Sequence, residues 1–303
     1  MKKYFSFFFF ALLAMFLVAC DSNTPTNSSD NDSDEPFVAK GIGAFSVSDT
    51  TQVTFSPGNL QYTQSTDTWS FASAQYEIIG VDNVIGGTVS SAPEGGDYKH
   101  GTALADKIDL FGWGTGDCPT KSSESENDYL TFVDWGTNKI GNDAPNTWRT
   151  LSMNEWMYIF YNRPNAQSLF ALGSVNGVNG TIILPDNWTT PADVSFVAST
   201  TKGLSWQENC YMNNNGTNYG DNTYTSEQWS KLEKGGAVFL PASGFRLGTY
   251  MGNAFLSSSY WSNTKWKSDN YNAHILHFRA FCLLPQFFNW NFYGYSVRLV
   301  QDL

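Results

Sequence analysis

The sequence predicts an α+β domain, with two short helices packed on mixed or antiparallel sheet and long irregular loops between them. Three observations carry this. Short apolar or aromatic runs alternate with stretches of Gly, Asn, Ser and Thr, the composition of strands and turns. Two segments carry a helix-start signature followed by apolar residues at helical spacing. About 260 of the 303 residues lie beyond the N-terminal segments, enough to bury one large core if the domain is β-rich.

Taken in order, the chain begins with Lys2 and Lys3, an apolar run from Phe5 to Val18, and Leu17-Val-Ala-Cys20. This is the layout of a secretory signal peptide over residues 1–19, and it is excluded from the fold. The small residue before Cys20, following Leu-Val, resembles the lipobox of bacterial lipoproteins. That resemblance implies lipidation of Cys20 and a tether to the membrane, since each buried CH₂ of a lipid chain contributes roughly 0.8 kcal/mol. Residues 20–38 are rich in Ser, Asn and Asp and lack the apolar surface to offset chain entropy, so they form a flexible acidic tether. Its Asp30–Glu35 stretch resembles the acidic export signals of surface lipoproteins. The spacing of Asp30, Asp32 and Asp34 is not a calcium loop, because Glu35 stands where Gly is needed and Gly41 where Glu is needed.

Residues 39–303 form the domain. Ala44 to Val47 and Gln52 to Phe55 read as two strands joined by a polar turn. Ser152-Met-Asn-Glu155 is a capping box, with Met153, Trp156, Met157 and Phe160 on one helical face. Thr225-Ser-Glu-Gln228 is a second box, followed by Trp229 and Leu232, with Gly235 as the stop. Further strands are expected at Ala237 to Leu240, after the Pro241-to-Arg246 turn, at Ser259 to Thr264, at Ala273 to Phe278, and finally at Tyr295 to Val300. Beyond the signal peptide no apolar run is long enough to cross a membrane as a helix. The mature chain carries 15 Lys and Arg (17 less Lys2 and Lys3) against 28 Asp and Glu. A net charge of −13 excludes a general nucleic-acid binder, which needs a basic face. Cys118, Cys210 and Cys282 have no metal-site spacing; export permits a disulfide, and their odd number leaves one unpaired in a monomer.

Several blocks carry a family resemblance. They include VTFSPGNLQY (53–62), WSFASAQYEIIG (69–80), IDLFGWGTG (108–116), WRTLSMNEW (148–156), VNGVNGTIILPDNW (175–188), LEKGGAVFLPASGFR (232–246), YWSNT (260–264) and YSVRLV (295–300). In this order they resemble bacterial surface lipoproteins with a C-type-lectin-like domain of the formylglycine-generating-enzyme type. In part of that family a diversity-generating retroelement rewrites the segment between YWS and SVRLV. The resemblance implies a scaffold displaying a variable, ligand-binding surface.

The corresponding segment, 260–295, is unusual on its own terms. Twelve of its thirty-six residues are aromatic, against 16% of the whole chain, and it is net positive in an acidic protein. Aromatics and Arg anchor interfaces because they bury much area at little entropic cost. The irregular mixing of Asn with aromatics in FFNWNF, together with Pro285, argues against a buried central strand. Trp261, Phe278, Val297 and Leu299 are the expected core residues. The expected contact surface comprises the aromatics Trp266, Phe281, Phe287, Phe288, Trp290 and Phe292. Asn263, Asn270, Asn272, His274 and His277 would add hydrogen bonds, and Lys265 and Arg279 attraction to acidic groups.

Signals for chemistry are weaker. The oxidases of the resembled fold use a cysteine pair, and Cys282 is far in sequence from the next cysteine, Cys210, so the pattern is not matched. His274 and His277, three apart on a strand, point to opposite faces and form no metal pair. Glu155 is explained as a helix cap. No nucleophile elbow, phosphate loop or paired-carboxylate motif is present. Trp261-Ser-Asn263 matches only part of the calcium motif of sugar-binding lectins, and its partner tripeptide is absent. The sequence therefore implies no catalytic residue, metal or cofactor. It implies an exported, lipid-anchored protein of the cell envelope, displayed at the outer surface and binding an extracellular protein or glycan. The alternatives are an enzyme of the same fold and a structural or adhesive envelope component.

Overall fold

The computed structural model describes residues 43–80, 106–202 and 217–303, with the backbone of short strands at Val84–Ile85, Thr88–Ser91, Asp97–His100 and Ala103–Leu104. The signal peptide, the tether with Cys20, and Cys210 lie outside the described residues. What is described is mixed α+β: mostly strands in several antiparallel sheets, with two short helices.

The two ends of the domain meet in one sheet. Its order is Phe45–Ser46, Gln52–Phe55, Leu299–Asp302, Arg149–Thr150, with Phe55 opposite Val300 and Thr150 opposite Leu299. The last strand thus starts later than the expected Tyr295. Tyr295 and Ser296 instead make isolated single bridges, to Phe111 and Tyr260, ahead of the regular strand. A second sheet is built on the hairpin Phe170–Val175 and Val178–Ile183. Asn176 and Gly177 close it with φ of 50° and 82°, the left-handed pair that a two-residue hairpin turn requires. Thr223–Tyr224 joins this sheet in parallel, which makes it mixed.

Both helix caps form. Ser152 Oγ accepts from the Glu155 N–H at 3.3 Å, and Glu155 accepts from the Ser152 N–H at 2.7 Å. Glu155 also takes a two-pronged bond from Arg149, at 2.7 and 3.0 Å, and Arg149 reaches on to Asp302. The helix Met153–Met157 continues as a wider π turn to Asn162, which brings Ile159 and Phe160 into the core beside Trp156. The second helix spans Ser226–Lys234. Gly235 stays right-handed at φ −80°, and Gly236, at φ 93°, makes the left-handed exit.

The C-terminal sheet has the order Ser257–Lys265, Asn272–Arg279, Cys282–Trp290, antiparallel throughout. Its first two strands are buried between two core clusters. Tyr260, Leu276 and Phe278 join Trp156 and Phe160 in one; Trp261, Ala273 and Ile275 join Trp135, Val297 and Leu299 in the other. Trp261, Phe278, Val297 and Leu299, the residues expected in the core, are all at most 1% exposed. The first strand, called the inner one because Ser296 bridges to its Tyr260, is pinned further where the Tyr260 hydroxyl donates to the Pro241 carbonyl and accepts from Asn59, both at 3.0 Å. Cys118 is free and exposed, whereas Cys282 is buried and disulfide-bonded.

Candidate functional site

Cys282–Trp290 is a strand that the sequence did not single out. It is an outer strand, not a central one, and Pro285 sits in a bulge. Ile275 pairs with Phe287 but His277 with Leu284, so Pro285 and Gln286 together face the single residue Leu276. A bulge on an edge strand is where a residue without an N–H fits. Before the bulge the strand is buried. After it, Phe287, Phe288 and Asn289 are partly exposed and Trp290 is 43% exposed.

The rings beyond the bulge form two connected runs. In the first, Trp266 stacks on Phe288 at 3.9 Å, Phe288 on Phe287 at 5.7 Å, and Phe287 meets the His277 ring at 5.7 Å. In the second, Trp290 meets Phe292 at 5.5 Å, Phe292 stacks on Tyr293 at 5.4 Å, and Tyr293 touches Phe245 at 5.6 Å. A pocket of about 210 Å³ takes His277 and Phe287 from the first run, Tyr293 and Phe245 from the second, and the serines at the start of the inner strand. Asn289 and Tyr295 also line it, joined by a 2.6 Å bond from the Asn289 amide to the Tyr295 hydroxyl.

His277 shares a hydrogen bond of 3.0 Å with Ser259 Oγ. Burial pushes its pKa down to about 4, with the Arg279 charge adding to the effect, so the ring is neutral near pH 7. A Ser–His contact suggests nucleophilic catalysis, but a general base works best with a pKa near the operating pH, and His277 is far below it.

The other expected contact residues divide. Asn263 and Asn270 are exposed, and Phe281 is 43% exposed. Phe281 occupies a left-handed position, φ 61°, in the turn before the edge strand, a conformation costly for a bulky side chain. Arg279 is partly exposed beside it, and Phe292 is partly exposed in the second run. Lys265 is partly exposed, and its ammonium donates to the Leu130 carbonyl at 3.2 Å. Asn272 spends its amide on Asp269, at 3.0 and 3.1 Å, and so serves the turn. His274 is a correction: it is only 6% exposed, lies edge-on to Trp266 at 5.1 Å, and meets the Gln286 carbonyl at 3.2 Å, so it supports Trp266 instead of facing a ligand. The two histidines make contacts with different neighbours and do not converge. Among the described residues no group of three acidic, His or Cys side chains could hold a metal ion.

Sequence reasoning missed Phe245, Ser257, Ser259, Asn289, Tyr293 and Tyr295. The run Ser257-Ser-Ser259 carried a usable signal, because alternate residues of a strand share a face. Phe245 carried none, as it arrives from a separate strand. A larger cavity of about 500 Å³ opens in the 113–133 loops, but its one ammonium, Lys121, is already bonded to the Asp128 carbonyl. The chain matches no family model, no curated protein and no solved structure.

Proposed function

We propose that this protein is a lipid-anchored cell-surface protein whose C-type-lectin-like domain binds an extracellular ligand through the aromatic face of segment 260–295. The observation that carries the reading is the pair of partly exposed ring runs, held on a sheet whose inner strands are buried. Rings fixed by stacking lose little entropy when a ligand covers them, which suits interface anchors. The weak basicity of His277 favours binding over catalysis. A disulfide at Cys282 fits export to an oxidising compartment. The lipobox-like Leu17–Cys20 supports the anchor, and the family resemblance supports diversification of the segment by a retroelement.

The test uses the chain with Cys20→Ala, which removes the anchor, on arrays of glycans and extracellular proteins. Capture of a ligand should be lost in a Phe288→Ala, Trp290→Ala double variant that still melts like the parent. Capture unchanged in that variant would refute the aromatic face. For the anchor, fatty-acid labelling should mark the unmodified chain and not Cys20→Ala. For diversification, the coding DNA should lie near a copy of the 260–300 segment that differs chiefly at adenines.

A further inference from the structure

The pocket between the two ring runs has a chemistry of its own. None of its lining residues is Asp, Glu, Lys or Arg. A charged group entering it would lose water without gaining a counter-ion, which is costly, so the occupant is neutral. Its walls are the rings of Phe245, Tyr293 and Phe287. Its polar wall is made of hydroxyls: those of Ser257 and Tyr293 have no side-chain partner among the described residues, and that of Ser259 shares a hydrogen bond with His277. Hydroxyls that line an open pocket can exchange water for a ligand's own hydroxyls, since each both donates and accepts. At about 210 Å³ the space lies below the roughly 300–1,000 Å³ of sites for drug-sized ligands, and holds one ring.

We propose that this pocket receives one neutral pyranose ring of a glycan, without calcium, between the rings of Tyr293 and Phe287 and over the hydroxyls of Ser257 and Ser259. A pyranose has an apolar C–H face for an aromatic wall and a rim of hydroxyls for the serines, Asn289 and the Tyr293 hydroxyl. A protein's Phe or Tyr side chain would fit the walls but bring at most one hydroxyl to this polar set. The proposal rests on the ligand-binding reading of the aromatic face and names its ligand class.

The experiment titrates the purified protein, in a detergent without sugar headgroups and with EDTA present, against methyl glycosides of neutral hexoses, fucose and N-acetylhexosamines. Binding is followed by saturation-transfer NMR. At least one glycoside should bind saturably at millimolar concentration. Tyr293→Ala should abolish that binding. Tyr293→Phe, which keeps the ring and the fold, should weaken it about fivefold, the loss of one neutral hydrogen bond. No binding by any glycoside, or binding that Tyr293→Phe and Ser257→Ala both leave unchanged, overturns the proposal. Tyr293-dependent binding of N-acetyltyrosinamide with no glycoside bound overturns it in favour of a protein side chain. The two readings separate cleanly. If glycosides fail while array capture still needs Phe288 and Trp290, the sugar pocket falls and the aromatic face stands. If a glycoside binds while those substitutions leave capture intact, the face falls and the pocket stands.

Discussion

Trp261 and Trp290 belong to one sheet and meet opposite fates. Trp261, on the inner strand, is 1% exposed, donates its indole N–H to the Phe111 carbonyl at 2.6 Å, and packs edge-on against Tyr295 at 5.0 Å. Trp290, at the end of the edge strand, is 43% exposed and has a ring contact with Phe292 at 5.5 Å. Both lie in the same aromatic-rich stretch of sequence. Both strands flank Asn272–Arg279, so the difference is what covers them: the first has core on both sides and Ser296 bridged to it, while the last leaves the core after its bulge. Aromatic content therefore marks a region of large buried or buriable area, and what packs over each strand decides which.

The largest test of the contrast is Trp261→Ala, which should cost about 3–5 kcal/mol, as for a buried aromatic truncated to Ala. Denaturant melts measure it; a loss below about 1 kcal/mol would remove the distinction from the inner strand. Next is pH. The folded protein holds His277 at about 4, below the ordinary value near 6.5, so the unfolded chain binds more protons between those limits. The stability this contributes is complete above about 6.5 and is lost as pH falls toward 4, by at most about 1.4 kcal/mol per pH unit. His277→Gln should flatten that part of the profile relative to the parent, and identical slopes would show that His277 titrates normally. Ser152→Ala should cost on the order of 1 kcal/mol, because it orphans the Glu155 N–H of the first helix. An unchanged midpoint and slope would show that Glu155, through Arg149, holds the helix start by itself. The smallest effect is Trp290→Ala, expected within about 0.5 kcal/mol. A loss of several kcal/mol there would erase the comparison, since the edge would then be core.

Much of the local structure was legible because its causes are local. Ser152 with Glu155, and Thr225 with Gln228, satisfy orphan helix donors three residues away, so spacing alone reveals them. The inner-strand core residues were legible because large apolar side chains beside polar turns have few other places to go. Segment 282–290 was absent from the expected strands: Pro285 excludes a central strand but not a bulged edge, and edge or centre is a property of the whole sheet. His274 was misplaced for a similar reason: Trp266, from the far side of a turn, covers it.

What the sequence by itself determined is the α+β content, the two capped helices, the aromatic richness of 260–295, and the identity of the residues that had to be buried there. These follow from spacing, composition and the energetics of exposed apolar surface. The pocket is different. Phe245, Ser257, His277, Asn289 and Tyr293 come from separate strands and turns, and nothing in their spacing brings them together. Only the tertiary structure decided that they share one uncharged space, because that depends on strand order, on the register shift at Pro285, and on the bridge that sets Gly294 against Arg246.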